Sequence, residues 1–351
     1  MSNRNIDLNI LSKEELLKMR ICDLPIQIKG TWLQTCVDEL YSELEKKGIK
    51  YFPPCYLADE WLTPDGEPVV GIAFYLAHLA LMKLEKEMML DCEGGTKEWC
   101  MKLLRHEAGH ALNYAYKLHK KKKWRKYFGE FSKEYGDTYR FRPYSRNFVR
   151  HLEDYYAQYH PDEDFAETFA VWLTPGSCWQ EKYKGWKALK KLEFIDELMK
   201  EIKNKEPVLK KGKKYWQISS IKKTLQNHYK RKMHFYAEDF PDFHDTNLKK
   251  IFSEKTEERS ESSNAYTVIK KYRKDILKSV SAWTGEKKYI TDDLLKTFTN
   301  RCRELKLVIH ETETSAVLKI SIYLTTLIMN YLYTGRFRGK NEKKVACSSG
   351  L

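Results

Sequence analysis

The alternation of apolar and polar positions along this chain reads mainly at helical spacing. Ser12 to Glu15 ahead of Leu16 and Leu17 form a capping box that predicts a short helix. Between residues 31 and 48, Leu33, Val37, Leu40 and Leu44 fall on one helical stripe and Gly48 supplies a stop. Pro64-Asp65-Gly66 is a turn between two extended runs and predicts a hairpin, with Val69 to Leu76 as its second strand. Residues 79 to 90 fit helix and strand alike. After Gly94-Gly95 a helix is predicted over roughly Lys97 to Lys120, with Leu104, Ala108, Ala111, Ala115 and Leu118 as its apolar stripe. Helical pieces are expected around 124–135 and 145–158. The next helix is well marked, with Pro161 at its first position, acids in its first turn, and Thr174-Pro175-Gly176 at its end. Another is expected from Trp186 to Lys203.

The stretch 203–214 has the composition of a linker, and helical patterns resume beyond it. The expected organisation is therefore a first domain over 1–203, a helical region over 204–338 and a flexible tail over 339–351. The fold class is α+β, predominantly α-helical with a small sheet. The most apolar late run, Ala316 to Tyr333, is interrupted by Lys319 and several hydroxyl residues. It reads as a buried helix rather than a membrane span.

The composition narrows the function classes. The chain has 351 residues, 42% hydrophobic and 13% aromatic, enough for a substantial core and against long disorder. Its formal net charge of +14 admits anionic partners, but the lysines are spread along the chain rather than gathered on one arm. Eight irregularly spaced cysteines with no CxxC pair argue against a disulfide scaffold and fit reduced thiols. The N-terminus lacks the apolar core and small-residue cleavage site of a signal peptide, so a cytoplasmic location is expected. No GxSxG, Walker or GxGxxG pattern occurs.

The motif that carries chemistry is His106-Glu107-Ala108-Gly109-His110. On a helix, positions i and i+4 lie one above the other, so both imidazoles can reach one ion. Glu107, one residue past the first ligand, stands near the ion rather than on it. There it can accept a proton from water that the metal activates. Gly109 lets another element approach the helix closely. A catalytic zinc site needs a third protein ligand and an open position. The extension that would supply a third histidine is absent, since positions 113 and 116 are Asn and Tyr. The acid-rich helix downstream offers Asp162, Glu163, Asp164 and Glu167. Glu163 and Glu167 share a face at i, i+4 spacing, with Ala166 and Ala170 leaving room for a neighbouring helix. Residue types leave Glu163 and Glu167 both open as the third ligand.

The phrases "LLRHEAGHALNYAYKLH" and "YYAQYHPDEDFAETFAVWLTPGS" resemble the bacterial zinc-binding metallopeptidase family. "FRPYSRNFVRHL", "GWKALKKLEFIDELM", "TLQNHYKRKMHFY" and "CRELKL" extend the likeness, less specifically, over most of the chain. More remotely, the two-part pattern is similar to the anthrax lethal factor catalytic domain and other gluzincins, which implies a zincin-like core. Carried over by position, the resemblance makes His106 and His110 ligands of one Zn²⁺ per chain and Glu107 the general base. Glu163 becomes the third ligand and Glu167 an acid that orients a ligand histidine. Tyr156, seven residues before Glu163, becomes a donor to the developing oxyanion, with Tyr159 as its reserve. Asp164 departs from the aromatic that the pattern carries after its third ligand, which loosens the register.

The expected function is a zinc-dependent hydrolase of peptide or amide bonds acting on a peptide or protein. Val69 to Leu76 would be either the edge strand on which an extended peptide is laid or a strand of the core. The competing reading is a metal-stabilised binding protein without turnover. Its nucleic-acid partner would contact "HKKKKWRK" at 119–126, although a solvated helix end accounts for the same residues.

Overall fold

The N-terminal capping box forms. In the computed structural model Ser12 Oγ accepts from the Glu15 amide (3.3 Å) and the Glu15 carboxylate accepts from the Ser12 amide (2.8 Å), opening α1 (Lys13–Lys18). The structure describes residues 6–89, 91–135, 142, 145–152, 155–233, 244–254 and 263–334. The described residues are predominantly helical with two small sheets, and the chain divides into two units. One comprises residues 1–136 and 141–232, the other 137–140 and 233–351.

In the first unit, α2 (Trp32–Lys46) starts at Thr31, whose hydroxyl accepts from the Leu33 amide, and it buries Leu33, Val37, Leu40 and Leu44. Strands β1 (Cys55–Ala58) and β2 (Val70–Ala73) then pair in parallel, Cys55 opposite Val70 and Ala58 opposite Ala73. This corrects the expected hairpin. The Pro64 turn does form, with the Glu67 amide on the Pro64 carbonyl. It brings only Leu62 back against Gly71, in a single antiparallel bridge of two hydrogen bonds (2.8 and 3.2 Å). The ambiguous stretch is helical, α3 (Leu79–Met89).

Helix α4 (Lys97–Ala115) carries the HExxH motif and ends earlier than expected. Lys117 takes a left-handed φ of 53°, which a helix cannot continue through. Every residue from Leu103 to Ala115 is buried, so α4 is covered all round rather than on one stripe. On its α2 side a buried Arg105 makes a two-pronged ion pair with buried Glu43 (2.7 and 2.8 Å). The paired geometry satisfies both charges away from water. Next come α5 (Lys122–Phe128), α6 (Pro161–Leu173), α7 (Trp179–Lys182) and α8 (Lys187–Ile202). The helix expected over 145–158 is not there among the described residues. Residues 145–152 are irregular and only Tyr156–Gln158 makes a single helical turn.

The first unit continues to Lys232, past the expected boundary at 203. The linker-like stretch is strapped down by its main chain: the amides of Val208 and Leu209 both donate to the Ala115 carbonyl (2.9 Å each). Beyond it the Ile21 and Cys22 amides donate to Lys223 and Ile221, and α9 (Leu225–Met233) buries Leu225 and Tyr229. Backbone bonds of this kind leave no trace in composition.

The second unit holds α10 (Asp245–Ile251), β3 (Ser253–Glu254), α11 (Ala265–Lys271), α12 (Arg273–Thr284), α13 (Lys288–Glu304), β4 (Leu307–Val308) and α14 (Glu313–Thr334). β3 and β4 form a short antiparallel pair. The apolar run expected as a buried helix is α14. It buries Ala316, Ile320, Leu324, Leu327 and Ile328, while Leu318 and Ile322 are more than half exposed. No described helix is long and apolar enough to cross a membrane. The tail at 339–351 lies outside the described residues, as does Cys347; the seven other cysteines are free thiols.

Candidate metal centre

Helices α4 and α6 pack backbone to backbone, and Gly109 is the reason. A methyl group there would stand 2.9 Å from the Ala166 Cα and 3.2 Å from the Ala166 carbonyl oxygen. The start of α6 is set by His160, whose Nδ1 accepts from the Asp162 amide (3.1 Å) while Nε2 donates to the Lys133 carbonyl (2.6 Å). Pro161 follows at the first helical position, where no amide hydrogen is needed. Asp162, Glu163 and, one turn on, Glu167 then point at α4.

Three donor atoms converge between the helices. His106 Nε2 and His110 Nε2 stand 3.1 Å apart, and Glu163 Oε2 lies 3.1 Å from the first and 3.2 Å from the second. All three residues are buried. The other nitrogen of each ring is held from behind. His106 Nδ1 is 2.9 Å from Glu167 Oε1, and His110 Nδ1 is 2.8 Å from Asp162 Oδ2. A carboxylate only accepts, so both Nδ1 atoms carry hydrogen. In neutral rings the two Nε2 atoms are then bare lone pairs facing each other and a carboxylate oxygen. Three acceptors this close repel one another unless a cation, a metal ion or a proton, is shared among them. Donors about 2.0–2.2 Å from a tetrahedral zinc stand roughly 3.3–3.6 Å from one another, a little wider than the 3.1–3.2 Å seen here. His106, His110 and Glu163 can hold a metal ion.

The electrostatics agree. Burial alone would push the Glu163 carboxyl up, but His110 and His106 outweigh it and hold it well below the usual carboxylate range. Asp162 and Glu167 are likewise lowered by their histidines against burial, so both are ionised acceptors. Glu107 goes the other way. Burial raises its carboxyl, and the nearby histidines and the Thr63 hydroxyl only partly offset this. The Thr63 hydroxyl donates to the Glu107 main-chain carbonyl (3.1 Å).

Without metal, the cation the triangle needs is a proton. Burial lowers His106, but the hydrogen bonds of Glu163 and Glu167 more than reverse this and raise it to about 9; His110 is raised well above its ordinary value. A histidine whose folded value lies above its unfolded one, about 6.5, contributes stability that is complete below that pH and disappears as pH rises through about 9. Metal-free protein should therefore lose melting temperature between about pH 6.5 and 9. Metal affinity should climb over the same window as the competing protons leave. Melting curves at each pH with and without metal check this, and a metal-free melting temperature that rises across the window would contradict it.

Of the expected site residues, His106, His110 and Glu163 meet at the triangle, and Glu167 lies behind His106, its other oxygen accepting from the Leu152 amide (3.0 Å). Asp164 faces away toward Lys191 on α8 (2.5 Å). Burial raises its carboxyl to about 7 despite that partner. Tyr156 lies beside His106, ring centres 5.8 Å apart, and Tyr159 is 5.8 Å from Tyr156. The phenol on the Glu163 carboxylate belongs to Tyr135, which donates to Glu163 Oε1 (3.1 Å). β2 is buried throughout, and Gly71 already exchanges both of its outward bonds with Leu62, so the strand has no free edge at that residue.

Sequence reasoning missed Asp162 as the partner of His110. Asp162 also accepts from Tyr114 (2.6 Å) and Asn113 (2.7 Å). Two polar residues three and four places after His110, inside an apolar helix, were the available signal. Tyr135 offers none, because its contact is made across 28 residues of chain. No family model, no curated protein and no solved structure matches this chain.

Proposed function

We propose that this protein is a zinc-dependent hydrolase of peptide or amide bonds with a zincin-like, gluzincin-type centre. The observation that carries the reading is the triangle of three buried donors with a carboxylate of raised pKa, Glu107, on the same helix as two of them. Zinc in such a site supplies Lewis acidity that makes water a competent nucleophile near neutral pH. His106 and His110 are ligands, kept in the required tautomer by Glu167 and Asp162. Glu163 is the third ligand and brings one negative charge. Glu107 takes the proton of the attacking water and returns it to the leaving amine; burial raises its basicity toward the working pH. Tyr156, next to His106, is the candidate donor to the oxyanion. The substrate is a peptide or protein, and the site lies in the cytoplasm.

The binding-protein alternative has less support. A non-catalytic zinc site is normally closed by four protein ligands, and only three donors converge here among the described residues. Two lysines of the basic stretch face acids of α8, Lys121 on Glu201 (2.6 Å) and Lys123 near Glu197 (3.8 Å), which weakens that stretch as a phosphate-binding surface.

Elemental analysis of wild type, Glu163→Ala and Glu167→Ala tests the metal reading. One zinc per chain is expected in wild type and none in Glu163→Ala. Glu167→Ala should retain zinc with affinity about 10–100-fold lower, the usual effect of removing a group that orients a ligand. Zinc kept by Glu163→Ala and lost from Glu167→Ala would overturn the ligand set.

A further inference from the structure

The two oxygens of Glu163 have different partners. Oε2 faces both Nε2 atoms, while Oε1 accepts from the Tyr135 phenol. Carboxylates bind cations through one oxygen or both. A phenol donating to Oε1 engages that oxygen's charge and makes the second bond unfavourable. A ligand held to one oxygen leaves a position free, which is what a hydrolytic site requires.

Tyr135 is built to keep this contact. Its ring stacks on His160, centres 3.9 Å apart and planes 16° from parallel, and meets Tyr159 edge-on at 5.4 Å. His160 is itself fixed at both nitrogens, by the Asp162 amide and by the Lys133 carbonyl two residues before Tyr135. The first turn of α6 and the 133–135 segment are thus tied through one imidazole, and Glu163 lies three residues past it. Tyr135 remains about half exposed, so its ring is not a core element.

We propose that Tyr135 is a positioning residue that confines Glu163 to one oxygen toward the metal and so holds the centre at four positions, three for protein atoms and one for water. This rests on the metal reading above. Phenylalanine at 135 keeps the stack on His160 and removes only the donor, so Tyr135→Phe should fold as wild type. Visible absorption of the Co²⁺-loaded proteins reports coordination number directly, and titration against a chelator gives Co²⁺ affinity. Expected for Tyr135→Phe are weaker visible bands, as the second Glu163 oxygen joins and coordination rises from four to five, and affinity about tenfold lower. Superimposable spectra in the two proteins would overturn the proposal even if affinity fell, because a merely structural role would move affinity without altering coordination. Wild-type protein that takes up no Co²⁺ would remove the metal centre itself, and this proposal with it.

Discussion

Glu107→Gln should abolish hydrolysis while leaving the metal in place. A positioned proton acceptor contributes about 10²–10⁴-fold to rate, or about 3–5 kcal/mol of barrier, and glutamine keeps the shape but cannot take the proton. The metal should stay because Glu107 is not among the three converging donors. The fold should stay too, for a reason specific to this site. Glu107 is buried with its carboxyl pushed up, so its ionised form is costly in the folded state, and a neutral amide removes that cost. The expected signature is a peptide-library cleavage rate down by about two to four orders of magnitude, zinc content unchanged, and a melting temperature equal to or above wild type. Full activity in this variant would remove the mechanism. Lost activity together with lost zinc would show that Glu107 acts on the site's integrity rather than on the proton.

The donor triangle was partly legible in the sequence because helical geometry is local. His106 and His110 share a face by spacing alone, and Pro161 and the acidic turn mark the start of α6. Residue types alone left Glu163 and Glu167 both open, since both lie on one face, and the resemblance put Glu163 first. In the structure Glu163 meets the Nε2 side of the rings and Glu167 the Nδ1 side of His106. The sheet was misjudged for a related reason. Pro64-Asp65-Gly66 makes its turn, but which strand β2 joins depends on β1, placed parallel to it by the packing of the whole unit. The linker-like stretch 203–214 was likewise read by composition, whereas its main-chain bonds to Ala115 decide where it lies. The resemblance supplied only expected roles and a register; Asp164, which strained that register, is accommodated by Lys191 on α8, a partner 27 residues away.

The position between the two ligands should be the most sensitive to a small change. Gly109→Ala inserts one methyl 2.9 Å from the Ala166 Cα and 3.2 Å from its carbonyl oxygen. In an ordinary helix interior this substitution stabilises by about 0.5–1 kcal/mol. Forcing an extra carbon into a packed contact costs typically about 1–3 kcal/mol. The obstacle here is backbone on the facing helix, which cannot rotate away, so the upper part of that range should apply and the net effect should be destabilising. Function should suffer more than stability. Separating α4 from α6 moves Glu163 away from both Nε2 atoms at once, and donors held 3.1–3.2 Å apart by packing lose their common focus. Metal affinity should therefore fall well beyond the tenfold expected for loss of one orienting hydrogen bond, with a melting temperature lowered by only a few degrees. The double variant Gly109→Ala, Ala166→Gly sharpens the test. The nearest atoms at 166 are Cα and O, which glycine retains, so deleting the Ala166 side chain should restore neither affinity nor stability. Recovery of metal binding in the double variant would show that the two helices are held apart by side chains, and the close backbone contact would no longer explain why these donors converge.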